Sequence, residues 1–234
     1  MSVPQLHGRD WLADRYAAMG GTDQAAPDEE GAVSGLTRAA DRARARTRIH
    51  QRKVTRALAD LQRVADQAYA VSWSGGKDST VCVALAAEAW PEGVVIVSDT
   101  QAASGEIARL AHEWTERAPH LDFIIRPTSR PDLEDRRALS SLLDRLSVRG
   151  VVLGLRAEES GYRRRIARTL IDPQTRTYTT ADHWGRIPAL CPILDWTADD
   201  VWAYLTTHGL PYHEVYDREG RGARSPHEPW RTWD

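Results

Sequence analysis

Between residues 69 and 155 the chain alternates short apolar runs with longer stretches whose apolar residues recur at helical spacing. The apolar runs are rich in β-branched residues and predict strands, whereas the longer stretches predict helices. The predicted strands are 70–73, 94–97, 121–125 and 151–155, and the predicted helices are 77–89, 104–117 and 132–146. Apolar strands that alternate with helices form a parallel sheet covered on both faces. The pattern therefore predicts an α/β fold with a doubly wound parallel sheet.

The residues before this region differ in pattern and in charge. Residues 1–35 are rich in Gly, Ala, Asp and Pro, and we expect a mobile N-terminal segment there. Residues 36–68 contain no Pro or Gly and carry apolar residues at helical spacing, which predicts one long helix, a basic helical arm. Basic side chains crowd the part of this arm from Arg38 to Arg56. They form either a solvated helix face or a surface for nucleic acid or an acidic protein partner.

The pattern changes again after residue 156. The segments 176–180 and 186–190 flank Asp-His-Trp-Gly, which predicts a hairpin or an extended excursion. Thr197 precedes two acidic residues, Asp199 and Asp200, as at the N-terminus of a helix. We expect the main domain to cover residues 69–217, and a C-terminal tail, 218–234, to lie over the surface.

Composition narrows the class of protein. The chain has 234 residues, 41% of them hydrophobic, and a net charge of −2, so the whole chain is not a polyelectrolyte binder. Its 2 cysteines, Cys82 and Cys191, exclude a disulfide scaffold, a four-cysteine zinc site and a four-cysteine iron–sulfur cluster within one chain. No apolar run approaches the ~20 residues of a membrane span, and no signal-peptide pattern opens the chain. These features predict a cytoplasmic protein without membrane contact.

The strongest chemical signal is the run Ser74-Gly75-Gly76-Lys77-Asp78-Ser79-Thr80, which follows the first predicted strand and opens a helix. Glycines let the backbone turn sharply, so that its N–H groups approach an anion closely. The helix N-terminus adds unpaired N–H donors and partial positive charge, while the hydroxyls and the lysine add further donors. All of these favour a phosphate group. The run is not a Walker A loop, because Val71 occupies the position of that motif's first glycine.

With the two residues before it, this run gives Ser72-Trp73-Ser74-Gly75-Gly76-Lys77-Asp78-Ser79, which resembles the PP-loop of the ATP pyrophosphatase superfamily. In that superfamily the loop holds the β,γ-pyrophosphate of ATP while chemistry occurs at the α-phosphate. The resemblance implies a Rossmann-like sheet of the adenine nucleotide alpha hydrolase type.

Two later segments resemble the PAPS reductase-like branch of this superfamily. One runs from Gly154 to Ser160 and continues to Arg163, and the other runs from Pro192 to Tyr212. The resemblance covers roughly residues 69–217. The branch includes sulfonucleotide reductases, the small subunit of sulfate adenylyltransferase, eukaryotic FAD synthetases and the DNA phosphorothioation sulfurtransferase.

Arg156 follows the fourth predicted strand, and ligands of open α/β sheets bind beyond the carboxyl ends of the strands. We expect Lys77, Asp99 and Arg156 to converge there, with Lys77 and Arg156 as catalytic residues and no protein metal ligands assigned. The candidate nucleotide-binding residues are Ser72, Ser74, Gly75, Gly76, Lys77, Asp78, Ser79, Thr80, Asp99, Thr100, Gly154, Arg156, Glu159 and Arg163.

Some individual roles stay open. Asp78 caps the helix, pairs with a cation or binds a metal. Asp99 binds a ribose hydroxyl or Mg²⁺, or caps a loop. Glu159 orients Arg156, helps to hold Mg²⁺ or forms a structural salt bridge. Cys82 is expected to pack in the core, whereas Cys191 either packs or lies near the site as a thiol.

The first functional hypothesis is an enzyme that binds ATP or a related adenine nucleotide with Mg²⁺, acts at the α-phosphate and releases pyrophosphate. Its acceptor substrate is unknown. The second is a PAPS or APS reductase, or a sulfurtransferase, that lacks the usual C-terminal cysteine: residues 226–234 contain none, and no iron–sulfur cluster is expected. The third is a non-catalytic nucleotide sensor with a nucleic-acid-binding arm. A homodimer is compatible with each of them.

Overall fold

A computed structural model describes residues 35–100, 104–128, 133–180 and 186–223. The predicted mobile segment, up to residue 34, and the end of the predicted tail, from residue 224, lie outside the described residues. The helices and strands follow one another along the chain as α1 (Gly35–Ala45), α2 (Arg48–Gln62), β1 (Tyr69–Trp73), α3 (Lys77–Ala89), β2 (Gly93–Thr100), α4 (Ser104–Arg117), β3 (Leu121–Thr128), α5 (Leu133–Arg145), β4 (Gly150–Val152), α6 (Gly161–Thr169), β5 (Thr177–Thr179), β6 (Pro188–Leu190), α7 (Ala198–His208) and α8 (Val215–Arg218).

The strands form a six-stranded sheet in the order β3-β2-β1-β4-β6-β5. All neighbouring pairs are parallel except β5 and β6, which pair antiparallel at the edge. The order reverses between β1 and β4, as expected for a doubly wound sheet, whose ligands bind at this switch point. The predicted α/β fold is confirmed, and the predicted excursion at 176–190 is the β5–β6 hairpin.

Alternate residues of the central strands point to two different cores. On β1, Val71 and Trp73 belong to the larger apolar cluster, which contains buried residues of α2, α3, α4 and α7. Ala70 of β1 and Ile96 of β2 belong to a second cluster, which contains Leu139 of α5. Both faces of the sheet are thus covered by helices, which is why its strands are apolar throughout.

The prediction of a single helix over 36–68 is wrong, because the arm is two helices, α1 and α2. Thr47 separates them with an extended backbone, φ −69° and ψ 143°, and its Oγ1 accepts a hydrogen bond from His50 N at 3.2 Å. The same hydroxyl donates to Arg44 O at 2.8 Å. A threonine that caps the second helix and closes the first compensates backbone groups at both ends, and this favours a break over a continuous helix.

The arm is part of the folded core. Ala57, Leu61 and Val64 are buried in the larger cluster, and Leu61 O accepts a hydrogen bond from Trp90 Nε1 at 2.9 Å. Asp41 of α1 binds the guanidinium of Arg221 and accepts a hydrogen bond from Thr206 Oγ1 at 2.7 Å. The arm therefore holds both α7 and the segment that follows α8.

One buried carboxylate, Asp200 on α7, connects the arm to that helix. The predicted helix start at Thr197 is confirmed, and Asp200 forms a capping box with Thr197. Asp200 also accepts hydrogen bonds from Arg44 Nε at 2.8 Å and Lys53 Nζ at 2.6 Å. His50 Nδ1 lies 3.3 Å away. Burial alone would raise the pKa of this carboxyl, but these hydrogen bonds outweigh burial and hold the pKa far below its usual range.

Within the described ranges, none of the helices combines the length and the apolar character needed to cross a membrane.

The Asp200→Asn substitution should destabilise the protein, because it leaves the cations of Arg44 and Lys53 without their carboxylate. We expect a loss of about 3–5 kcal/mol in the free energy of unfolding, measured with urea at neutral pH. The matched control is Asp199→Asn, an exposed acid in the same helical turn, which should change stability by less than about 0.5 kcal/mol. Equal effects of the two substitutions would contradict the role assigned to Asp200.

The pH dependence of stability gives a second prediction. Because the folded-state pKa of Asp200 is lowered, its contribution to the free energy of unfolding should be complete above about pH 4 and disappear as the pH falls below that value.

Candidate nucleotide-binding site

The phosphate-loop candidate joins β1 to α3 at the carboxyl edge of the sheet. Gly75 has a left-handed backbone, φ +73°, which favours glycine, and a Cβ there would also force the end of the Ile107 side chain to move. Ser79 Oγ donates to Gly76 O at 3.0 Å and accepts from Ser74 N at 3.3 Å. These bonds tie the loop to the first turn of α3, whose N–H groups point out of the helix end.

The structure brings three of the predicted residues into one cluster. Lys77 Nζ lies 3.1 Å from Asp78 Oδ2, and Arg156 Nε lies 2.5 Å from Asp78 Oδ1. Both cations are largely shielded from solvent, with side chains 12% exposed for Lys77 and 5% for Arg156. Of the roles left open for Asp78, pairing with Lys77 and an arginine is the one observed.

Arg156 is held in this position by its own loop. Its backbone N–H donates to Glu159 Oε2 at 3.2 Å, and Glu159 lies 3.8 Å from Arg163 Nε. Burial raises the pKa of Glu159, and Asp78 raises it further, against the opposing charges of Arg163 and Arg156. Of the roles left open for Glu159, a contact with the Arg156 backbone and an ion pair with Arg163 are both observed.

One donor of Arg156 has no hydrogen-bond partner. Its Nη1 is buried and makes no hydrogen bond to any group that the structure describes, and Glu158 Oε1 lies 3.9 Å from it. Buried guanidinium nitrogens are normally hydrogen-bonded, because an unmet donor loses its hydration without compensation. This nitrogen lies next to the loop that carries the amide donors, where the acceptor oxygens of a bound anion would satisfy it.

Gly154 explains how Arg156 reaches the loop. A Cβ at this position would lie 2.7 Å from Ser79 N and 2.8 Å from the carbonyl carbon of Asp78. The chain leaving β4 thus passes in direct contact with the first turn of α3. This contact is backbone on backbone, which only a glycine permits.

The other predicted site residues take different places. Thr80 Oγ1 accepts a hydrogen bond from Trp73 Nε1 at 3.0 Å inside the core, so it supports the loop from below, and Trp73 is core as well. Ser72 lies within β1. Asp99 and Thr100 are the last residues of β2. They follow Val97, which pairs with Trp73, so they lie at the same carboxyl edge of the sheet as the loop after β1. Their side chains lie outside the described part of the structure.

The segment after α7 contributes residues that sequence analysis did not identify. Tyr216 Oη accepts a hydrogen bond from Lys77 N at 3.3 Å, and its ring lies 5.2 Å from Lys77 Nζ. His213 Nε2 lies 3.0 Å from Glu106 Oε2, and His213 Cδ2 lies 3.8 Å from the position of a Cβ on Gly75. The available signal was the segment ending at Tyr212, which resembles the PAPS reductase-like branch.

Both cysteines are fully buried, as predicted for Cys82. Burial raises the pKa of the Cys191 thiol to about 12 and raises that of Cys82 well above its usual value. Of the two roles left open for Cys191, packing is the one observed.

No cluster of three or more His, Cys, Asp or Glu side chains that could hold a metal occurs among the described residues. Asp78, the carboxylate at the loop, is already bound to two cations. These residues fit a Mg²⁺ ion carried by phosphate oxygens, with one or two protein ligands at most, as is usual for that ion.

Comparison with known proteins matches this chain to a family. Residues 68–138 and 133–222 match the family model described as phosphoadenosine phosphosulfate reductase domain. The phosphoadenosine 5'-phosphosulfate reductase of Xanthomonas campestris pv. campestris (strain B100) is 32% identical over 174 residues, covering 65% of this chain and 67% of the relative. The adenosine 5'-phosphosulfate reductase of Halalkalibacterium halodurans is 25% identical over 161 residues, covering 62% of this chain and 67% of the relative. The chain therefore spans about two thirds of the length of these relatives.

Solved structures show the same fold. Candida glabrata FMN adenylyltransferase in complex with ATP aligns with a TM-score of 0.55 and 17% identity, over 77% of this chain and 65% of that chain. The same enzyme with FAD and inorganic pyrophosphate aligns with a TM-score of 0.54 and 15% identity, over 77% of this chain and 66% of that chain. This chain covers less than two thirds of the enzyme in both cases.

The Gly154→Ala substitution should destabilise the fold, because the new Cβ must displace the backbone of the first turn of α3. Overpacking of this kind costs about 1–3 kcal/mol, measurable as the free energy of unfolding in urea. Gly161→Ala is the control, since a Cβ there meets nothing within 4 Å, and it should be neutral or slightly stabilising. An unchanged stability of Gly154→Ala would show that the contact between the β4 exit and α3 is not tight.

Proposed function

We propose an activity for this chain on the premise that it belongs to the phosphoadenosine phosphosulfate reductase domain family: it binds ATP or a related adenine nucleotide, acts at the α-phosphate and releases pyrophosphate. The acceptor, in this proposal, is a second substrate of unassigned class. The observation that carries the proposal is the buried, unpaired Nη1 of Arg156 beside a glycine-rich loop at a helix N-terminus.

The loop and Lys77 suit the leaving pyrophosphate. The first turn of α3 provides N–H donors and partial positive charge, and the Lys77 ammonium lies at the same helix end. Charge that develops on the departing group is stabilised by donors already fixed in place, since these do not have to reorganise during the reaction. Asp78 positions Lys77 for this contact.

Arg156 suits the phosphate that reacts. Its planar fork binds two phosphate oxygens at once, and Asp78 uses only its Nε. The guanidinium would hold the α-phosphate in line with the acceptor while Lys77 neutralises the pyrophosphate. Mg²⁺, when bound, would neutralise phosphate charge, and Asp78 is the carboxylate at the loop that would hold it.

The structural neighbours support the type of reaction in this proposal. FMN adenylyltransferase, whose structures contain ATP in one case and FAD with inorganic pyrophosphate in another, shares the fold. Its name describes adenylyl transfer, a reaction at the α-phosphate. We therefore extend the reaction type to this chain, but not the flavin acceptor.

A PAPS or APS reductase is the second candidate, because the relatives at 32% and 25% identity carry those names. A thiol-dependent reductase needs a thiolate nucleophile. Cys82 and Cys191 are the chain's only cysteines, both are buried, and burial raises both thiol pKa values. These observations favour chemistry at the α-phosphate over reduction.

The first test is a panel of ATP, APS and PAPS, with binding measured by thermal shift and products by pyrophosphate–ATP exchange. ATP should raise Tm, and Lys77→Ala and Arg156→Gln should each weaken its binding about 10- to 100-fold, since a hydrogen bond to a charged group is worth about 1.5–3 kcal/mol. Arg109→Gln, an exposed arginine on α4, is the control and should bind ATP as the unaltered chain does. Unchanged ATP binding in both site variants, or no exchange with any acceptor tried, would refute the proposal.

The second test addresses the thiols. At pH 8 both cysteines should react with Ellman's reagent only after unfolding, because burial keeps them protonated and out of reach. The Cys82→Ala and Cys191→Ala variants should keep ATP binding. Sulfite release from PAPS that disappears in Cys191→Ala would instead favour the reductase.

A further inference from the structure

The basic arm has an unusual distribution of charge. Between Gly35 and Arg63 the acidic residues are Asp41 and Asp60, and both are buried and bound to cations of the core and of the chain's later part. The exposed face of α1 and α2 is left with positive charge alone. We define the arginine surface as the exposed arginines of the arm and of α6 whose guanidinium has neither a carboxylate within ion-pair distance nor a hydrogen bond to the described residues: Arg38, Arg42, Arg46, Arg48, Arg52, Arg164, Arg165 and Arg168.

Helix α4 shows what a solvated basic face looks like in the same protein. Its Arg109 and Arg117 lie 3.6 Å and 3.5 Å from Glu113, one helical turn away on either side. Exposed helices usually mix charges of both signs in this way, because pairs one turn apart stabilise the helix and like charges destabilise it. The arginine surface lacks this mixing.

The same helices also oppose the helix dipole. Helix α2 begins at Arg48, α6 carries Arg163 and Arg164 in its first turns, and neither has an acid in its first turn. Helices α4 and α7 follow the usual rule, with acids such as Glu106 and Asp199 at the start. Cations at a helix N-terminus reduce stability, so folding alone does not account for them.

Exposed apolar side chains occur at the same place. The large apolar residues that are exposed among those described are Leu36, Ile49, Tyr162 and Leu170, which lie on α1, α2 and α6 or directly after α6. Arg165 lies over the ring of Tyr162, with 5.8 Å between Cζ and the ring centroid. Apolar groups exposed on a charged surface are typical of a macromolecular contact.

Hydrogen bonds before and after α6 connect the two parts of the arginine surface, the arm and α6. Arg56 of α2 donates to Pro173 O at 2.9 Å, just after α6. Before α6, Glu158 Oε1 accepts from Ala198 N at 3.3 Å, next to the capping box that binds Arg44. Glu158 Oε1 also lies 3.9 Å from Arg156 Nη1, so the arginine surface borders the candidate nucleotide site.

We propose that the arginine surface binds the phosphodiester backbone of a nucleic acid. Arginine matches phosphate oxygens through two parallel hydrogen bonds. The 15 residues of α2 rise about 22 Å, whereas a strand of duplex presents a phosphate about every 3.4 Å of helix axis, so one helix can contact several phosphates. A nucleic acid is favoured over an acidic protein, because a phosphodiester chain carries a charge at every unit, whereas a protein would have to supply carboxylates along the whole of α1, α2 and α6. This inference does not depend on the proposed nucleotide chemistry.

The test measures binding of the full chain to fluorescently labelled single-stranded DNA, duplex DNA and single-stranded RNA between about 50 and 200 mM KCl. Affinity for at least one of them should fall with salt with a logarithmic slope of about −3 or steeper. The triple variant Arg46→Gln, Arg48→Gln, Arg52→Gln should bind at least about tenfold more weakly at the lower salt and lose about 2–3 units of slope, since each phosphate contact contributes about 0.7–0.9. The three nucleic acids distinguish the source of the backbone.

The matched control is the triple variant Arg109→Gln, Arg117→Gln, Arg145→Gln, which removes the same charge from α4 and α5. Its affinity should stay within about twofold of that of the unaltered chain, which is less than the loss of one phosphate contact would cause. Three results would overturn the proposal: no binding to any of the nucleic acids, equal loss in both triple variants, or competition by poly-glutamate as strong, per charge, as by nucleic acid. The last would assign the surface to an acidic protein. ATP binding by the arm variant is measured in parallel, so that a failure of the nucleotide site is recognised separately.

Discussion

The carboxyl edge of the sheet depends on one carboxylate that serves two cations. Lys77 and Arg156 both bind Asp78, at a helix N-terminus that is itself positive. Without Asp78 two poorly solvated cations would face each other and the helix dipole, an arrangement with no compensating charge. With Asp78 present, the two cations are partly compensated, but the cluster keeps a net positive charge and Arg156 Nη1 makes no hydrogen bond. The glycine at 154 makes this possible, because it lets the Arg156 loop touch the backbone of the residue that binds its side chain.

A second carboxylate, Asp200, shows the opposite outcome of the same chemistry. It also gathers cations, but its oxygens are met by Arg44, His50, Lys53 and the Thr197 cap, and it lies fully buried. Nothing in that network calls for a ligand, and its effect is to join the arm to α7. The contrast supports the assignment of function to Asp78 and of architecture to Asp200: the distinguishing feature is the unmet donor, not the number of charges.

The parts of the structure that could be predicted from the sequence are those governed by local rules. Strand and helix alternation, the loop between β1 and α3, and the helix start at Thr197 all depend on neighbouring residues, and they were predicted correctly. The break at Thr47 was missed because a single capping threonine is inconspicuous among basic residues at helical spacing. Tyr216 and His213 were missed for a different reason: their contacts with the loop span more than a hundred residues, and only the folded chain brings them together. Thr80 was assigned to the ligand, but its hydroxyl is used by Trp73, a core contact that no motif reveals.

Family membership and chemistry separate at the cysteines. The relatives' names describe reduction of sulfonucleotides, and the fold brings the glycine-rich loop and Arg156 together at the carboxyl edge of the sheet. Reduction through a thiol further requires a nucleophile that can lose its proton near the substrate, and burial raises the pKa of both thiols in this chain. Adenylyl transfer requires none of this, because donors fixed around the phosphates stabilise the leaving group directly. The cluster of Lys77, Asp78 and Arg156 offers the fixed donors that adenylyl transfer uses, whereas both thiols are buried, and this contrast is the physical reason for proposing chemistry at the α-phosphate.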